Sequence, residues 1–287
     1  MQRLSQSIWP LGWHPGGLSW WLGRAELPPA EIAVVRAGGQ VSGWSAFSHG
    51  DELTVDADPE QPEVARELVG WIVDRAGSMD LTILVPAAHD ALRAAVEEAG
   101  FAPDPGAPWA GLWLDASAAR AASPSGYTVR AVRPGEERER VEVHRSAWLP
   151  AALPYPPDRR SDIAPGATSS FTEAACDRLR TTWLYDPDLD LVAVAPDGSM
   201  AACCVGWFDP VSGVTEVEPL GVDPEHRRRG LAGALCLEVA ARTAERGGRE
   251  VFINTGPSAA YPAPELAYRK AGFRSVTRGA AYRRPKV

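Results

Sequence analysis

The sequence predicts an α/β (α+β) chain built as two tandem domains, each a sheet flanked by helices. Three observations carry this. β-favouring runs alternate with stretches whose apolar residues recur at helical spacing. The order of those runs in residues 1–115 returns in residues 127–287. Between them, residues 116–126 (Ala-Ser-Ala-Ala-Arg-Ala-Ala-Ser-Pro-Ser-Gly) are small and polar, as a linker requires.

Residues 1–30 form an aromatic lead-in, with Trp9, Trp13, Trp20 and Trp21 among Gly and Pro and no element assigned. Residues 31–36 and 41–47 read as strands joined by the Gly38-Gly39 turn, and 53–56 as a third. From 62 to 76, Val64, Leu68, Trp71 and Ile72 fall at helical spacing. A buried-strand run at 81–86, a helix at 88–99 stopped by Gly100, and a strand at 109–114 complete this half. In the second half, 127–132 is a strand and 135–148 a helix carrying His144 and Trp148. Proline at 150–165 breaks regular structure. A helix at 171–183, strands at 189–195, 200–208 and 214–222, and a long helix at 230–247 follow. A strand at 250–254, a helix at 264–271 and a strand at 275–283 end the chain.

A length of 287 residues suffices for two cores. With 45% hydrophobic and 23% charged residues, the chain reads as globular rather than disordered. A net charge of −8 argues against a nucleic-acid partner, which requires a basic field. No run of 18 apolar residues and no export signal is seen, so neither a membrane span nor secretion is expected, and the location expected is cytoplasmic. The cysteines, Cys176, Cys203, Cys204 and Cys236, show neither metal-ligand nor disulfide spacing, so no metal is expected.

The basic run 226–229 stands out against that acidity. It joins the strand ending at Val222 to the helix that opens at Gly230-Leu231-Ala232-Gly233. Small residues at a helix start let unpaired N–H groups converge on one point, where the helix dipole adds positive charge. Arg227, Arg228 and Arg229 add bidentate donors, so the spot suits a pyrophosphate. Neither Gly-x-x-x-x-Gly-Lys-Ser/Thr nor Gly-x-Gly-x-x-Gly is present here.

Arg227-x-x-Gly230-x-Ala232 resembles the Arg/Gln-x-x-Gly-x-Gly/Ala signature of the GNAT superfamily of N-acetyltransferases, and Tyr268-Arg-Lys-Ala-Gly-Phe273 resembles its closing Tyr-x-x-x-Gly-Phe motif. The resemblance covers nearly all of 127–287 and implies a mixed, mostly antiparallel sheet with acetyl-CoA as acyl donor. In the first half the strand and helix order is similar, but residues 56–63 (Asp-Ala-Asp-Pro-Glu-Gln-Pro-Glu) replace the basic loop. Carboxylates there repel a pyrophosphate, so 1–115 reads as a degenerate copy, 116–126 as linker and 127–287 as the intact domain. The layout is similar to that of mycothiol synthase and other two-copy bacterial members, a likeness of arrangement that carries no substrate with it. Two copies in one chain imply a monomer acting as a pseudo-dimer, or a homodimer.

Acetyl transfer to an amine needs a base, an oxyanion donor and an acid for the leaving thiolate. Glu216 and Glu218 lie two apart on a strand and so share a face, and two carboxylates on one face raise each other's proton affinity. Either is a candidate base. The resemblance implies Tyr268 as acid and Leu220, Gly221 and Val222 as the segment pairing with the pantetheine arm. Arg227 to Gly233 would hold the pyrophosphate. An asparagine usual seven residues before the tyrosine is Tyr261 here, and Asn254 is a substitute. Trp148 and Tyr155 are candidate acceptor contacts, while His144 reads as a surface or core histidine rather than a catalytic one. The acceptor expected is an amine of a small molecule or an amino-terminal group. A longer acyl-CoA donor, or a non-catalytic ligand sensor, is the alternative.

Overall fold

The computed structural model describes residues 1–24, 31–47, 52–77, 79–153, 166–255 and 262–285. It falls into two compact units whose bounds are not linear in sequence. The first comprises Met1–Pro15, Leu27–Ala110 and Thr277–Val287, and the second Gly16–Glu26 and Gly111–Val276. A division at 116–126 therefore misplaces two pieces, residues 16–26 and the C-terminal strand.

In the first unit, strands β1 (Glu31–Ala37), β2 (Gln40–Phe47) and β3 (Glu52–Ala57) run antiparallel, and β4 (Leu81–Pro86) pairs parallel to β3. Gly38 (φ 56°) and Gly39 (φ 81°) make the two-residue hairpin turn, whose left-handed backbone suits the twist of the flanking strands. Helix α1 is Gln2–Ile8. Helix α3 (Pro62–Ala76) opens on a proline, which costs no helical hydrogen bond there, and buries Val64, Leu68 and Ile72 in a core shared with Leu81, Ile83 and Val85. Helix α4 (Asp90–Glu98) adds Leu92 and Val96 to that core. On β4 lies the chain's last strand, β11 (Arg274–Arg284), paired antiparallel from Gly279↔Pro86 to Arg284↔Leu81.

The second unit has the strand order β5-β10-β9-β8-β7-β6. Strand β5 (Ala102–Asp115) gives it Leu112–Asp115, paired antiparallel with β10 (Glu250–Ile253). Strands β6 (Thr128–Ala131), β7 (Asp190–Val194), β8 (Met200–Asp209) and β9 (Val214–Val222) are antiparallel neighbours, while β9 and β10 are parallel. Thus the final strand of each sequence half completes the sheet of the other unit.

Helix α7 (Leu231–Glu245) buries Leu231, Leu235 and Val239 on one core, with Val217, Val251 and Ile253 of the sheet and with Tyr268 and Phe273. Tyr268 belongs to helix α8 (Ala263–Lys270). A second core joins Trp20 of helix α2 (Pro15–Gly23), Val141 of α5 (Glu137–Ala147) and Cys176 and Leu179 of α6 (Glu173–Arg180) to Val205 and Trp207 of β8. The lead-in thus holds two helices, and 102–108 extend the strand expected at 109–114. Ala116, at the start of the expected linker, is buried, its N–H bonded to the Arg249 carbonyl at 2.9 Å. Residues 150–152 make a short 3-10 turn, and 154–165 lie outside the described residues. Among the described residues no helix is long and apolar enough to cross a membrane.

Candidate acyl-transfer site

The site starts from a fault in one strand. Val217 pairs with Gly206 and Leu220 with Cys204, so Glu218 and Pro219 of β9 face one β8 residue, Val205. The extra residue is a β-bulge, and proline, lacking an N–H, fits where the ladder is broken. The indole Nε1 of Trp207 donates to the Glu218 carbonyl at 2.5 Å. Before the bulge Thr215 and Val217 face α7, and after it Leu220 and Val222 do. Glu216 and Glu218 therefore turn to the opposite face, as alternation along a strand requires.

Strand β10 follows β9 only to Phe252↔Glu216 and ends at Ile253. Beyond Glu216, no strand among the described residues pairs with that edge of β9. Leu220, Gly221 and Val222 stay paired with β8 on the other side. Backbone groups along such an open edge suit an extended amide-bearing ligand.

At the end of β9, Arg227 donates to the carbonyls of Val222 (3.3 Å), Ala152 (2.6 Å) and Ala147 (3.2 Å). Its guanidinium therefore clamps the loop to the C-terminus of α5, a use the sequence did not suggest. Ser146 donates to Asp223 beside it. Arg228 (φ 62°), Arg229 and Gly230 are exposed. Gly230 sits at the N-cap of α7 with φ 82°, a backbone that favours glycine, and no side chain caps the helix. The first helical bond is Ala234 N–H to Gly230 O at 3.0 Å, so the N–H groups of Leu231, Ala232 and Gly233 have no partner within the helix. An uncapped helix start with two exposed arginines fits a pyrophosphate.

The two candidate bases differ in setting. Glu216 is 3% exposed and accepts the Gly17 N–H at 2.6 Å, at the first turn of α2. Glu218 is half-buried; burial foremost, then the charge of Glu216, pushes its carboxyl up to about 7, with Arg24 opposing. Nearby, the His144 ring stacks on Trp148 (centroids 4.3 Å) and meets Phe171 (4.1 Å) and Trp20 (5.6 Å). Burial, with Arg140, Arg24 and Arg145, pushes its pKa down to about 2, so it stays neutral and serves as packing. Trp148 lies over Gly221 so closely that a Cβ there would stand 2.1 Å from Cζ3.

Tyr268 is buried in the α7 core, its ring 5.9 Å from that of Phe273. Asn254 is exposed just past β10. Tyr155 and Tyr261 lie outside the described residues. What the sequence reading missed is α2: Gly17, Trp20 and Arg24. The available signal was Pro15-Gly-Gly-Leu, a proline suited to the first position of a helix.

A bulged strand bearing carboxylates, a partner strand that stops short and an uncapped basic helix start make up the candidate site. Residues 158–273 match the model described as the Acetyltransferase (GNAT) family. That match, with the relatives below, indicates a tandem N-acetyltransferase that uses acetyl-CoA. It is 29% identical over 255 residues to mycothiol acetyltransferase of Clavibacter sepedonicus, covering 84% of this chain and 76% of that protein. Its fold is similar to a GCN5-related N-acetyltransferase from Sphaerobacter thermophilus (TM-score 0.53, 23% identity, 90% of this chain and 82% of that one). It is likewise similar to a tandem GNAT protein from the clavulanic acid biosynthesis pathway (TM-score 0.53, 18% identity, 99% and 93%).

Proposed function

We propose that the second unit moves the acetyl group of acetyl-CoA directly onto an amine of a small molecule or an amino-terminal group, in a ternary complex. Glu218 is the base, and its place on the bulge with proton affinity near neutrality carries this reading. A carboxyl that titrates near 7 can take a proton from an ammonium at working pH, whereas an ordinary one is a weak base there. As the amine nitrogen bonds to the thioester carbon, its proton passes to Glu218. The carbon–sulfur bond then breaks, and the leaving thiolate takes a proton from Tyr268. Main-chain N–H groups on the free edge at Leu220–Val222 meet the amide-bearing arm and the developing oxyanion.

Arg228, Arg229 and the N–H groups of Leu231, Ala232 and Gly233 hold the pyrophosphate, while Arg227 holds the loop that presents them. Asn254 stands at the mouth of the splay, and Trp148 contributes an aromatic wall on the acceptor side. The curated relative is named for mycothiol; at 29% identity its acceptor enters here as the first member of an amine panel.

The test follows thiol release over that panel. Wild-type kcat/KM is expected to rise with pH through an inflection near 7. Glu218→Gln should lower kcat by about 10²- to 10⁴-fold with acetyl-CoA affinity retained. Full activity of that variant would remove Glu218 as base. Acetyl-CoA binding with no thiol release for any amine would instead mark a ligand sensor.

A further inference from the structure

Within the second unit, α2 does more than fill a core. It begins at Pro15-Gly16-Gly17, and the Gly17 N–H points at Glu216 Oε2 from 2.6 Å. The fit leaves no room for a side chain: a Cβ on Gly17 would stand 2.6 Å from Oε2 and 3.0 Å from Oε1. N–H groups in a first helical turn lack helical partners and carry the positive end of the dipole, so a carboxylate seated there is fixed in position. Two residues on, and on the same face, is Glu218.

We infer that Gly17 is a positioning residue for acyl transfer: the first turn of α2 locks the Glu216 carboxylate in place and so sets a fixed negative charge beside Glu218. This rests on Glu218 being the base. Among the described residues, few other charges reach Glu218. Arg24, just past the end of α2, opposes Glu216. From α5, which packs over β8 and β9, come His144, neutral by burial, and Arg140, paired with Asp190 at 2.7 Å. Among the described residues Glu216 is the negative charge that acts on Glu218, and the Gly17 N–H of α2 helps to hold that charge in place. The short helix, through Gly17, and Arg24 just beyond its end apply opposing influences to the base.

The test is the pH profile of kcat/KM with saturating acetyl-CoA. Glu216→Gln keeps an acceptor for the Gly17 N–H but removes the charge, and should move the acid-limb inflection down by about one pH unit. Gly17→Ala should lower kcat about tenfold with little change in Tm or acetyl-CoA KM. In a Glu216→Ala background, where no carboxylate is left to displace, Gly17→Ala should have no further effect on kcat, a non-additivity that a packing role does not produce. An inflection unmoved in Glu216→Gln, or additive losses in the cycle, overturns the inference while leaving the base intact. An active Glu218→Gln removes the base itself, so the two failures are told apart.

Discussion

Helices α3 and α7 are the same device set in two surroundings. Each runs 15 residues, follows a strand of its unit's sheet and starts with no side-chain cap. Around the start of α7 are Arg228, Arg229 and a left-handed Gly230; around the start of α3 are Asp58, Glu60 and Glu63, with Pro62 removing one donor. Under the proposed function only the start of α7 takes the anion, so helix geometry alone does not make such a site. Local charge and the number of free N–H groups decide it.

The strands ahead of these helices differ in the same instructive way. Asp56 on β3 is 1% exposed and accepts from Ser5 Oγ (2.7 Å) and the Trp13 N–H (3.1 Å), so it anchors the N-terminal segment. On β9, Glu216 is likewise tied to a main-chain N–H, but Glu218 follows it with no hydrogen-bond partner among those described for its carboxylate, leaving a group that can exchange protons. One carboxylate holds structure; the additional one is the base of the proposed reaction.

The sharpest way to break the contrast is charge reversal. Arg228→Glu should raise the acetyl-CoA Kd by about 100-fold by calorimetry, since it removes a charge-assisted contact and adds repulsion. Glu63→Lys in α3 should leave Kd and a stoichiometry of one unchanged, and a second binding event would erase the distinction. Next in size, Asp56→Ala should cost about 1–3 kcal/mol in chemical denaturation by leaving the Ser5 and Trp13 donors unmatched. Tyr268→Phe should lower kcat about tenfold with donor affinity unchanged; equal turnover would take Tyr268 out of the mechanism.

The smallest effect is on stability. Because the folded-state pKa of Glu218 is raised, the native protein keeps a proton that the unfolded chain gives up between about pH 4.5 and 7. Glu218 therefore costs stability progressively as pH rises through that window. Glu218→Gln should be the more stable form, with a Tm gap that opens from pH 4.5, levels off above 7 and reaches on the order of 2–4 °C. A gap constant with pH would place Glu218 in an ordinary solvated setting.

Much of this was legible in the residues. Helix α3 and strands β4 and β9 fall where apolar periodicity puts them, because their core faces repeat at 3.6 or 2 residues. The start of α7 was legible because glycine and arginine at a strand–helix junction have few other uses. The choice between Glu216 and Glu218 was not: both occupy one strand face, and what separates them is an N–H from Gly17, 199 residues away in sequence. Arg227 reads as a phosphate ligand in sequence, whereas the carbonyls it clamps come from Ala147 and Ala152, which only folding brings within reach.

By itself the sequence determined the elements, their repeated order and the basic helix start, since these follow from local periodicity and local charge. Only the tertiary structure decided which strand completes which sheet, which carboxylate is tethered and which stays proton-active. Strand partners and burial depend on residues distant along the chain, and a carboxyl's proton affinity depends on what surrounds it rather than on its neighbours in sequence.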